Sequence, residues 1–219
     1  MKETLLKVCD CNIIIVDWSK YAVEPYYLEA SQNTQPIGRT VGDFLLNIGT
    51  NLSSTELVAY SLGCHVAGKA SSTIGSQIHR IIAFDPALPL FANSSPKYRL
   101  DATDAYIVEV VHTCAGILGF NEPIGLRDFW ANGGDHPQPG CGQLSPLCSH
   151  RRSFQYYSEA LLNEGRGFKT RRCDSYSDYK DSKCKGQPFL ALANHNVNTN
   201  LKGNFYFMTN SESPFGKFN

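Results

Sequence analysis

The chain has 219 residues and a mass of 24.3 kDa, enough for one α/β domain with a real core and cramped for two. Its 20 basic and 20 acidic side chains cancel and no Lys/Arg run exceeds two residues, so a nucleic-acid partner has no electrostatic footprint. The longest purely aliphatic run, Ile13 to Val16, falls far short of the roughly 20 apolar residues that a bilayer span requires, so no transmembrane segment is expected.

In chain order, NIIIVDW (12 to 18) is a β-branched run ending in a polar residue, which predicts a parallel strand buried on both faces. Ile37, Val41, Phe44 and Leu45 recur at helical spacing and predict a helix with that face inward. Leu57 to Ala59 is a short apolar run entering Ser61, and Gly63, Ala67 and Ala70 follow at a spacing that lets a helix lie close to a sheet. RIIAF before Asp85 and YIVEVVHT (106 to 113) predict two more strands. This alternation is the signature of a mostly parallel sheet with helices on both faces. From 115 to 150, Gly and Pro are dense (GFNEPIG, NGGDHPQPGCG) and a long loop region is expected. A helix should resume at about 153, and NFYFMTN reads as a closing strand.

The eight cysteines are Cys9 and Cys11, Cys64, Cys114, Cys141 with Cys148, and Cys173 with Cys184. None of these spacings is that of a structural zinc site, whereas an even count with two short loops favours disulfides in an oxidising compartment. Two N-x-S/T triplets, at Asn51 and Asn93, agree with secretion and glycosylation. The start, MKETLLKVCDCN, lacks an apolar stretch of signal-peptide length. That combination leads us to expect an N-terminus lost upstream of Met1.

Ser61 is flanked at −2 and +2 by Ala59 and Gly63, small residues of the kind that a strand-to-helix turn exposing a serine requires. A serine hydroxyl needs a histidine base, and the base needs a carboxylate. Asp85 directly follows RIIAF; Asp101 and Asp104 are rivals that follow no apolar run. Downstream of Asp85 lie His112, His136, His150 and His195. His112 belongs to a strand run and reads as a hydrogen-bonded core residue. His150, two places after Cys148 in a loop before a helix, is the stronger candidate base.

The ordered stretches YSLGCHVAG, AFDPALPLF, RLDATDAYIVEVVHTCAGILGF, IGLRDFWANGG, QPGC, CSHRRSFQYYSEAL and GNFYFMTNSESPF resemble the catalytic domain of the pancreatic lipase family. The likeness is strongest to insect secreted lipases and phospholipases, and it runs from about Asn12 to Phe215. The resemblance implies an α/β-hydrolase fold with its first strands missing. It implies a single catalytic domain, 1–219, incomplete at its N-terminus and without a C-terminal lipid-binding domain. Ser61 would be the nucleophile, Asp85 the acid and His150 the base, in a carboxylic ester hydrolase acting on lipids through an acyl-enzyme. Leu62 N–H would be one oxyanion donor. The family's other donor lies in a stretch resembling I-H-G-W or I-H-G-F, which this chain starts too late to contain, so this polypeptide is expected to be weakly active or misfolded.

By the same resemblance Cys141–Cys148 would close the lid loop and Cys173–Cys184 would be a later bridge. The lid, GQLSPL, is six residues long, too short for an amphipathic cover. Short lids in this family go with phospholipid sn-1 esters, galactolipids or small esters, and acylglycerols remain open. The implied partner is a lipid substrate at a membrane or micelle surface, with no colipase-like protein. No cofactor is implied beyond a structural calcium at the positions of Asp101 and Asp104, where a solvated loop is the alternative. Tyr60 departs from the family's usual histidine. Cys64 and Cys114 also depart, and they could bridge each other or be two buried thiols; Cys9 and Cys11 have no assigned partner, and one could bond to the missing segment. The alternative function is a catalytically impaired binding or yolk-type protein of the same fold.

Overall fold

A computed structural model describes residues 1–23, 25–193 and 198–218. The sheet is built from β1 (Glu56–Tyr60), β2 (Arg80–Phe84), β3 (Ile107–His112), β4 (Arg127–Ala131), β5 (Lys169–Arg172), β6 (Phe189–Ala191) and β7 (Gly203–Phe207). Its order is β1-β2-β3-β4-β7-β5-β6. β1 to β4 and β7 run parallel, while β5 and β6 form an antiparallel edge. The principal helices are α1 (Lys2–Val8), α2 (Tyr27–Asn47), α3 (Leu62–Thr73) and α4 (Pro146–Leu162), with a short α5 (Tyr176–Lys180). Among the described residues no helix is long and apolar enough to cross a membrane.

Strand periodicity divides the core. Ile82 and Phe84 of β2, with Phe129, Phe205 and Phe207, join Tyr156, Tyr157 and Ala160 of α4 in one cluster. Ile81 and Ala83, with Val108 and Val110, join Cys64 and Ala67 of α3 in the other. Helices therefore cover both faces, as a parallel sheet demands. α2 lies against α3 through small residues: a Cβ added to Gly38 would sit 2.5 Å from Lys69 Cβ, and one added to Gly42 would sit 2.7 Å from Ala70 O.

Several expectations are corrected. Residues 12 to 18 form no strand, and Ile14, Ile15 and Val16 are exposed. A β-branched run becomes a strand only when a neighbour takes up its backbone hydrogen bonds, and no strand of the described sheet lies beside it. The buried face of α2 is Ala30, Ser31, Thr34, Gly38, Gly42 and Leu45, with Val41 packed against the same cluster as Leu45; Phe44 points outward, and the close approach to α3 is made at Gly38 and Gly42.

The Gly/Pro-rich region from 115 to 150 contains β4. Its two charges hide it from an apolar scan, and both are buried and paired. Arg127 Nη1 donates to Glu109 Oε1 at 2.8 Å, and His112 Nε2 lies 2.9 Å from Asp128 Oδ1. α4 begins at Pro146, earlier than expected, so His150 lies on a helix and not in a loop before one. Proline at the first helical position is the signal for that start. His195 lies outside the described residues.

Candidate active site

Ser61 stands between β1 and α3 with φ 55° and ψ −123°, a conformation that non-glycine residues adopt only under constraint. Backbone bonds supply the constraint: Ser61 N–H donates to Phe84 O, Ala87 N–H donates to Ser61 O, and Cys64 N–H donates to the same carbonyl. A Cβ on Gly63 would stand 3.9 Å from Ala59 Cβ, ordinary van der Waals separation, so the alanine at −2 fits without strain. Leu62 N–H is in the first turn of α3, where helix geometry provides no carbonyl acceptor and the helix dipole is positive.

Asp85 follows β2 at the level of Ser61, because Tyr60 pairs in register with Phe84. It is fully buried. Its Oδ1 accepts hydrogen bonds from Thr113 N–H at 2.8 Å and Cys114 N–H at 3.1 Å, and its Oδ2 lies 2.5 Å from His150 Nδ1. An acceptor-only carboxylate at Nδ1 places the neutral imidazole's proton there and leaves the Nε2 lone pair free. Ser153 Oγ, one turn further along α4, donates to His150 O at 2.8 Å. The Ser61 hydroxyl does not cap α3 and is not hydrogen-bonded to His150 among the described residues; such contacts often tighten only with substrate in place.

Gly119, without a sequence signal of its own, also borders the site. Any Cβ there would stand 2.5 Å from Asp85 Oδ1 and 2.7 Å from Asp85 Cγ, so the carboxylate occupies the space of a side chain. No local motif marks this glycine, because its partner is distant in sequence. His112, read as a core residue, is one: it is fully buried, its Nδ1 bonds Phe120 O at 3.0 Å, and it stacks on Trp130 at 3.8 Å. It thereby holds the end of the loop that carries Gly119.

The Cys141–Cys148 and Cys173–Cys184 sulfurs are bonded. Cys9 and Cys11 are bonded to each other, which corrects the expectation of a partner elsewhere for one of them. Cys64 and Cys114 are separate buried thiols, with Cys64 Sγ against Phe84 O and Cys114 Sγ against Pro146 O. Burial, and then the Asp85 charge, pushes the Cys64 thiol well above its usual range; burial pushes Cys114 up to about 11. Both are therefore protonated near neutrality and poor nucleophiles.

Asp101 Oδ1 accepts from Thr103 N–H and Oγ1, and Asp104 Oδ2 accepts from Asp101 N–H. No third His, Cys, Asp or Glu joins them among the described residues. Two carboxylates turned to their own backbone do not make a calcium site. Between Cys141 and Cys148, Leu144 and Leu147 are exposed, and His136 Nε2 bonds Gln143 O at 2.8 Å.

A parallel sheet covered on both faces, with a strained serine at one strand end and a buried acid and histidine beside it, defines an α/β-hydrolase fold. The chain belongs to the lipase family: the family model described as Lipase matches residues 1–215. It is 34% identical over 236 residues to Lipase member H of Danio rerio, covering 98% of this chain and 52% of that protein. It is 36% identical over 201 residues to Lipase member H of Xenopus tropicalis, covering 87% and 43%. Against Pancreatic lipase-related protein 3 of Homo sapiens the identity is 34% over 255 residues, covering 100% and 54%. The chain spans about half the length of these relatives.

Proposed function

We propose that this chain carries the catalytic residues of a lipid carboxylic ester hydrolase, with Ser61 as nucleophile, His150 as base and Asp85 as acid. The observation that carries the reading is the Asp85–His150 contact at 2.5 Å beside a serine in strained backbone. His150 Nε2 takes the Ser61 proton as Oγ attacks the ester carbonyl. Asp85 stabilises the imidazolium, and Leu62 N–H faces the developing oxyanion. His150 then protonates the leaving alcohol, giving an acyl-enzyme that water cleaves by the reverse sequence. Labelling by a fluorophosphonate probe tests this: the whole protein should label at Ser61, and Ser61→Ala should abolish labelling and lower kcat by at least about 10⁴-fold. Labelling that does not depend on Ser61 would favour the binding-protein alternative.

The six-residue segment between Cys141 and Cys148 supports a substrate that needs no interfacial opening, for which a phospholipid sn-1 ester is our choice over an acylglycerol. Hydrolysis of phosphatidylcholine should rise without a jump at the critical micelle concentration; cleavage confined to emulsified triacylglycerol would overturn this. Bonded cysteine pairs and exposed sequon asparagines, Asn51 and Asn93, support a secreted glycoprotein.

A further inference from the structure

Tyr60 precedes the strained serine and has no part in the mechanism above. Its ring centroid lies 4.6 Å from that of His150, with the planes tilted by 41°. Phe154, one helical turn beyond His150 on α4, meets the same ring edge-on at 5.1 Å. The tyrosine is thus wedged between the imidazole and the next turn of its helix. His150 is held at Nδ1 by Asp85 and along one side by an aromatic surface. We propose that Tyr60 is a positioning residue, whose ring fixes the tilt of His150 and stabilises its imidazolium form through the negative face of the π system. The proposal rests on the reading of His150 as the base.

The surrounding charges isolate this effect. The imidazole meets the Asp85 carboxylate, carried just beyond β2; the groups that act electrostatically on the Tyr60 ring beside it are the same carboxylate, the Arg151 guanidinium of α4, the Cys64 thiol of α3 and the Cys114 thiol of the loop after β3. Both thiols stay protonated where histidines titrate. The Tyr60 phenol does too, pushed up by burial and then by Asp85. The carboxylate of Asp85 and the guanidinium of Arg151 are the other groups acting on Tyr60, and a substitution at Tyr60 removes neither.

The test follows the His150 imidazole by NMR titration in the whole protein, comparing the parent with Tyr60→Phe, Tyr60→Leu and Tyr60→Met. The methionine variant fills the ring's space without a π face and covers a failure of the leucine variant to fold. We expect Leu and Met to lower the His150 pKa by about half a unit to one unit, with Phe matching the parent. In kcat/KM against a soluble ester the acid limb should move by the same amount. kcat should fall about threefold to tenfold with KM nearly unchanged, a cation–π loss read as rate. An unshifted His150 in Leu and Met would overturn the proposal, and so would a Phe variant shifted as far as they are, since that would assign the effect to the hydroxyl. Ser61-dependent fluorophosphonate labelling of the parent reports separately on the triad: a shifted His150 without labelling keeps Tyr60's influence on the imidazole and sinks the hydrolase reading.

Discussion

Gly119 and Gly63 both border the proposed site, yet they differ in what a methyl group would meet. At Gly119 it would enter the Asp85 carboxylate, and at Gly63 it would reach only Ala59 Cβ at contact distance. Gly119→Ala should displace the acid from His150 and lower kcat on the order of 10²-fold, while Gly63→Ala should stay within about threefold of the parent; a soluble-ester assay of the two variants checks the ranking. The glycine in the recognisable motif is thus the more expendable. Ser61, Asp85 and His150 could be picked out in the sequence because each adjoins a patterned segment. Gly119 and the stacking of Tyr60 on His150 could not, because both contacts form only when distant segments meet.

At the level of elements, β2, β3 and β7 were legible as apolar runs. β4 was not, since Arg127 and Asp128 look like loop residues until Glu109 and His112 supply their buried partners. The opposite error at residues 12 to 18 has the complementary cause: strong β propensity is a preference for a pleated neighbour, and nothing in a one-dimensional pattern supplies one. The α2 face is legible at Leu45 and Val41 but not at Gly38 and Gly42, because proximity to α3 there selects for absent side chains, whereas a hydrophobic pattern registers only present ones. Gly42→Leu should accordingly destabilise the fold by about 1–3 kcal/mol or more, seen as a lower urea midpoint. An unchanged midpoint would mean that the two helices separate easily.

For the whole molecule, His65 is one group through which acid acts on stability. Its ring is fully buried, its Nδ1 accepts from Leu100 N–H at 3.1 Å, and its Nε2 donates to Ala87 O at 2.8 Å. Only the neutral form satisfies both bonds. Burial above all holds its pKa down at about 4, against 6.5 for the free side chain. Between these values the unfolded chain binds the proton and the folded chain does not. The His65 contribution is therefore fully present above pH 6.5 and falls as pH drops toward 4, by on the order of 2–3 kcal/mol; the buried Asp104 carboxyl, pushed up to about 7 by burial, opposes it, because its folded form takes up a proton more readily than the unfolded chain does. His65→Gln can replace the donor and the acceptor without titrating, so its urea midpoint should fall less over that range; parallel pH profiles would exclude His65 as the source.

β1 and β2 end level, with Tyr60 opposite Phe84, and Ser61 and Asp85, the proposed nucleophile and acid, are the first residues beyond each. Adding or deleting one residue in either strand would slide one partner past the other by about 3.3 Å and turn it to the opposite face. His150 arrives from a helix after a long, loop-rich excursion and is located by its bond to Asp85. Insertions and deletions in related chains should therefore collect between β3 and α4 and be missing from β1 and β2. The site's geometry is in effect a constraint on strand length, and the intervening loops are left free to vary.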